Sequence, residues 1–124
     1  MLTQFAPGQV WKYKTRPNEP DSRITVVRVD TDNEEFGNII HIYLSDLDIP
    51  NASAPSGKTT IVNHLPYAEE ALAASVLELE SENQPLPADY EDGYRLWREA
   101  FESDDAGIFT VSVVEAIGFV QASI

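Results

Sequence analysis

His41 and His64, with twenty-one aspartates and glutamates, are the side chains of this 124-residue chain best suited to acid–base chemistry near neutral pH. An imidazole held beside a carboxylate can activate water or a hydroxyl. A small hydrolase or ligand-binding enzyme using His41 or His64 is therefore the chemistry these residues would permit. The absence of cysteine removes a thiol nucleophile, thiolate metal sites and disulfides. No spacing joins either histidine to a nucleophile or a ligand set, and each has a structural role of its own. His41 shares a strand face with Ile39 and Tyr43, and His64 precedes Leu65-Pro66 where sheet gives way to helix. No catalytic residue is assigned on this basis.

Two further stretches come close to binding motifs. Gly57-Lys58-Thr59 has the letters that end a phosphate-cradling loop, but Ala52 stands where that loop needs its first glycine. Pro55, inside the loop, has no N–H to offer a phosphate, and the following "TTIVNHLP" is β-branched rather than helical. Asp30 to Gly37, "DTDNEEFG", has the acid density of a calcium loop. That loop requires glycine at its sixth place and glutamate at its twelfth, where Glu35 and His41 stand here. Neither a metal nor any other cofactor is expected.

Charge is the stronger signal. The net charge is −13, and residues 65–124 carry thirteen Asp/Glu against only Arg95 and Arg98, so −11 of it lies in the second half. Such a field repels phosphate backbones and anionic lipid and attracts basic proteins. Nucleic acid and membrane are thus excluded as partners, and a basic protein is the expected one. Glu69, Glu70, Glu78, Glu80, Glu82, Asp104 and Asp105 are the residues expected to meet it. The same carboxylates also serve to keep a helical face solvated. A homodimer built on an apolar patch around Ile117, Val120 and Ile124 is a further possibility of association.

These residues need a frame, and the patterning supplies one. The length fits a single domain with a core of its own. "MLTQFAPGQV" lacks the basic flank and apolar run of a secretory signal, and no stretch approaches the roughly 18 apolar residues of a membrane span, so a cytoplasmic location is expected. The segments "QVWKY", Arg23 to Val29, Ile39 to Leu44 and Lys58 to His64 read as strands. Their short links favour an antiparallel meander, curled as an SH3-like barrel or half-barrel. After Pro66 the period changes: Ala68, Leu72, Val76 and Leu79 fall on one helical face, which predicts a helix over 67–82. On that helix Glu78, Glu80 and Glu82 would splay around the surface. Tyr90, Tyr94, Trp97 and Phe101 form a sheet-facing stripe on a second helix capped by Asp89, with Gly93 marking close backbone packing. Ser112 and Glu115 make a capping box for a third helix, Val113 to Ser123, although Ile108 to Val114 also reads as a strand. The expectation is an α+β domain, residues 1–64 mostly β and 65–124 mostly helical.

The opening "FAPGQVWKYKTRPNEPDSRITVVRV" resembles the first strands of the SH3-like barrels in PemK/MazF-type toxin ribonucleases. The resemblance implies a fold analogy alone. The arginine-proline step of that family is replaced by Ser22-Arg23-Ile24, and its basic RNA groove is at odds with this acidity. The second half, "HLPYAEEALAASV" with "DYEDGYRLWREAFESDDAGIFTVSVVEAI", resembles small uncharacterised bacterial proteins and implies a bacterial setting. Together these features lead us to expect a non-enzymatic protein-binding domain of immunity or antitoxin type.

Overall fold

β-branched runs, a register shift and one short crossover helix shape the fold. The computed structural model describes residues 3–124. The elements are β1 (Val10–Tyr13), β2 (Arg23–Asn33), β3 (Gly37–Ser45), β4 (Ile49–Pro50), β5 (Lys58–Thr59), β6 (Val62–Ala68), α1 (Glu69–Ser75), β7 (Val76–Ser81), α2 (Tyr90–Glu102) and α3 (Val113–Ala122). Five strands form one sheet in the order β6-β3-β2-β1-β7, and every pairing is antiparallel. β4 and β5 make a separate two-stranded ribbon. The fold is α+β, but the main sheet has five strands where four were expected. Its end strands β6 and β7 do not pair with each other.

The backbone of the sheet is the β2–β3 hairpin. Its turn uses Asn33, whose Oδ1 accepts from the Phe36 N–H, and Gly37, whose φ of +71° suits glycine. Ile24 and Val26 of β2 face Ile42 and Leu44 of β3 in the main core. Between Val26 and Arg28 the register slips by one residue. A bulge of this kind exchanges the two faces of the strand beyond it. Val29 therefore continues the main core beside Ile40, while Arg28 and Asp30 are delivered to the other side, next to His41.

Both faces of the sheet are covered. α1 contributes Leu72 and α3 contributes Val113, Ala116 and Ile117 to the main core with Trp11, Tyr13 and Tyr67. α2 lies on the opposite face, its Tyr94 and Trp97 rings 4.8 and 4.9 Å from the His41 ring. The aromatic stripe thus faces the sheet as expected. Seven residues of helix span about 10 Å, yet α1 links the two edge strands of a five-stranded sheet. Flat, those edges would lie about 19 Å apart, so the sheet must curl around α1.

The helix expected over 67–82 is thereby corrected. Ala68 still belongs to β6, α1 ends at Ser75, and Val76 turns extended at ψ 152° to begin β7. "VLELES" satisfies a period of two as readily as one of 3.6, and β1 offers it a strand partner. Ser75 secures the break: its Oγ donates to the Ala71 carbonyl and accepts from the Val113 N–H. Strand structure thus reaches well beyond residue 64. The strand expected over Lys58 to His64 is likewise split, Lys58-Thr59 forming β5 and β6 starting at Val62. Asp89 makes no side-chain cap to α2, whereas Ser112 Oγ does accept from the Glu115 N–H at 3.2 Å, and α3 starts where its capping box predicts. Residues 108–112 form neither helix nor strand, and Phe109 joins β6 through a single parallel bridge to Tyr67. Among the described residues no helix is long and apolar enough to cross a membrane.

Gly93 brings α2 into tight contact with β6: a Cβ built there would lie 2.9 Å from the His64 Cβ. Helix propensity alone would make alanine better by about 1 kcal/mol. The contact is with the rigid root of a packed side chain, so overpacking, typically about 1–3 kcal/mol, outweighs that gain. Gly93→Ala should lower the thermal unfolding midpoint, and a raised midpoint in a calorimetric scan would contradict this packing.

Candidate functional site

The bulge in β2, the centre of β3 and the edge strand β6 bring three titratable side chains into one line on the α2 face. Asp30 Oδ2 lies 2.8 Å from His41 Nε2, and His41 Nδ1 lies 2.8 Å from His64 Nε2. The two imidazoles are nearly parallel, at 19°. His41 is fully buried and Asp30 is 7% exposed. Arg28 Nε donates to Asp30 Oδ1 at 3.0 Å, the Tyr94 hydroxyl donates to Oδ2 at 3.1 Å, and Arg98 stands 3.6 Å away. The Arg28 guanidinium also sits 4.4 Å over the Tyr94 ring, tying β2 to α2 a second time.

The charge states follow from these contacts. Burial by itself would raise the Asp30 pKa, but the hydrogen bonds from Arg28 and His41 outweigh it and hold the carboxyl below its ordinary value. Burial pushes both His41 and His64 down to about 4, more than the Asp30 charge raises either of them. At neutral pH the line is therefore a carboxylate followed by two neutral imidazoles. Ionised Asp30 can only accept, so His41 carries its proton on Nε2 and accepts at Nδ1 from the His64 Nε2–H. This leaves His64 Nδ1 as a lone pair with no protein partner. Since no buried side-chain nitrogen or oxygen lacks a hydrogen bond among the described residues, His64 Nδ1 meets solvent.

Such a line can orient a base and can fasten a helix. The histidines expected to pack separately are thus joined to each other and to a carboxylate, and His64 bonds to His41 rather than holding the strand end. No group of three His, Asp or Glu side chains among the described residues is arranged to hold a metal ion. Surface concavities lie elsewhere, the largest of them lined by Ile61, Val62, Asn63 and Val120. Another is lined by Lys14, Ala71, Ser75 and Val113, and a third by Glu35, Asn38, Glu69 and Glu70.

The carboxylates singled out from the sequence stand on several elements. Glu78 and Glu80 project from β7 and pair with Lys12 at 3.2 Å and Arg23 at 3.1 Å. Glu82 follows that strand. Glu69 and Glu70 open α1 at the other sheet edge, where Asn38 Nδ2 donates to Glu69 at 3.3 Å. Asp104 and Asp105 close α2, Asp104 with φ +60°. The apolar patch centred on Ile117 also changes. Ile117 is wholly buried in the main core, and the exposed surface nearby is made by Ile61, Val62, Val120 and Ile124. Lys58 of the near-miss phosphate loop enters β5 and pairs with Asp48 at 3.0 Å.

Arg28, Asp30, Tyr94, Trp97 and Arg98 were not legible as partners of His41. The aromatic stripe signalled that α2 would lie on the sheet, but only the bulge decided that Asp30 would lie beneath it. One consequence is a pH dependence. Each histidine binds its proton more readily in the unfolded chain, at about 6.5, than in the fold, at about 4. Stability present above 6.5 should thus fall progressively as pH drops towards 4, by up to about 3 kcal/mol for each histidine. Urea unfolding of the wild type and of His64→Gln across this range checks it: the stability difference between them should change with pH, and a constant difference would contradict the neutral pair.

Comparison of the chain with protein-family models, with curated proteins and with solved structures finds no match in any of the three.

Proposed function

We propose that this chain is a non-enzymatic protein-binding domain that engages a basic partner, in the manner of bacterial immunity or antitoxin proteins acting in the cytoplasm. The observation that carries this reading is the way charge is compensated. Seven of the eight lysines and arginines are already engaged in ion pairs within the chain. Glu70, Glu82, Glu91, Glu99, Asp104 and Asp105, by contrast, have no cationic partner among the described residues. The uncompensated field steers a cationic protein and repels nucleic acid and anionic lipid. On the outward side of α2, Leu96 is 67% exposed, with Glu99 one helical turn further on. Affinity capture from the native lysate, with mass-spectrometric identification, tests the reading. A basic protein should be retained at low salt, released at high salt, and lost when Glu99, Asp104 and Asp105 are changed to lysine. Recovery of no basic protein over several growth conditions would reject it.

A small hydrolase is the second reading, favoured by the line from Asp30 through His41 to the solvent-facing Nδ1 of His64. His41 is fully buried, so His64 alone could touch a substrate. Hydrolysis of p-nitrophenyl acetate above the rate of free imidazole, abolished in His64→Gln, is the outcome this reading requires. A rate equal to that of imidazole would end it.

A further inference from the structure

β7 is an edge strand whose four central residues, Leu77 to Glu80, are all exposed. One side of its backbone is bonded to β1. Towards the other side, no main-chain group of residues 77–81 finds a partner among the described residues. Proteins usually protect such an edge with lysine, proline or a covering segment. The opposite edge of this sheet is protected in that way: Pro66 lies within β6, and the Phe109 backbone bonds to Pro66 and Ala68. β7 has neither proline nor lysine nor a covering segment among the described residues; what marks its edge is two glutamates and two register shifts against β1. Glu78, opposite Lys12, and Glu80, paired with Arg23, lie on one face and Leu79, opposite Trp11 and 37% exposed, on the other, while a register shift sets Leu77, 60% exposed, between Val76 and Glu78.

The charges on this edge select its occupant. A second copy pairing β7 against β7 antiparallel would set Glu78 or Glu80 opposite another glutamate in one set of registers, or opposite a leucine in the other. Both arrangements are unfavourable. A strand carrying cations on the glutamate face and apolar side chains on the leucine face meets both requirements. Lys12 of β1 already stands beside Glu78, so incoming cations would extend an alternating ladder of charge across the sheet. The Lys12 and Arg23 pairs are exposed and screened, weak enough to be shared.

We propose that the outer edge of β7 accepts, by strand addition, an extended segment of the partner in which lysine or arginine alternates with apolar residues. This rests on the reading of the chain as a domain for a basic protein, and it names the element that docks the partner. The uncompensated carboxylates steer the partner, and main-chain hydrogen bonds along β7 hold it.

A short fluorescent peptide alternating lysine with valine is the probe, with two controls: the same peptide N-methylated along one backbone edge, and a glutamate–valine version. Anisotropy should show saturable binding of the first. Both controls should bind about tenfold more weakly or worse, as loss of several main-chain bonds or of charge complementarity requires. Amide hydrogen exchange over residues 76–81 should slow when the lysine peptide is added. Absence of binding, equal binding of the N-methylated peptide, or unchanged exchange in β7 would each overturn the proposal. The broader reading would survive any of these if lysate capture still returned a basic protein that depends on Glu99, Asp104 and Asp105. Failure of that capture would reject the broader reading separately.

Discussion

A carboxylate withdrawn from water must find its compensation inside the fold, and Asp30 finds it in four side chains from three elements: Arg28 of its own strand, His41 of β3, and Tyr94 and Arg98 of α2. The second layer of the molecule is organised by this requirement. α2 contributes no fully buried residue, so the helix is not held by a deep apolar face of its own. It is held by aromatic rings laid over His41, by Gly93 against His64, and by two polar links to Asp30. Removing one partner of such a network would leave a buried charge unsatisfied, which costs far more than the net worth of any single hydrogen bond.

The two faces of the sheet therefore follow different physics. The face under α1 and α3 is a conventional hydrophobic core in which Ile24, Ile40, Ile42, Tyr67 and Leu72 are all fully buried. The face under α2 is polar at its centre and aromatic above. The bulge at Val27 makes this division possible, because it reverses the alternation of β2 halfway along. Val26 and Val29 can thus both serve the apolar core while Arg28 and Asp30 serve the polar layer.

Charge is divided in a similar manner. Most cations are spent on local pairs, some of them structural: Arg16 with buried Glu19 fastens the loop before β2, and Glu19 also accepts from the Asp48 N–H. The acids that remain stand in loops and turns of the first half, as Asp21, Glu34, Glu35 and Asp46 do, and also at the start of α1, on the outer side and end of α2, and after β7. A basic partner would therefore be attracted from a distance by the whole molecule. Orientation must come from a directional feature, such as a strand edge, rather than from charge alone.

Several elements were legible because their signals were local. The β-branched run Arg23 to Val29, the strand Ile39 to Leu44, the aromatic stripe of α2 and the Ser112–Glu115 cap all declare themselves within a few residues. The segment 67–82 was not, because Val76 and Leu79 fit a helical face while Leu77 and Leu79 alternate with Glu78 and Glu80 as a strand requires. What settled it was the presence of β1, whose free side offered hydrogen bonds that an isolated helix could not match. Glu78 and Glu80 consequently line a strand instead of scattering around a helix.

The sequence by itself determined the mixed α+β character, the large negative charge, the absence of thiol chemistry, and the placement of His41 and His64 on or beside strands. Only the tertiary structure decided that these histidines join each other and Asp30, that the sheet gains a fifth strand, and that its far edge stays open. The reason is physical: periodicity and composition report each residue's immediate neighbours along the chain. A one-residue bulge, a strand pairing across more than sixty residues and the burial of a carboxylate depend on contacts that exist only once distant segments have met.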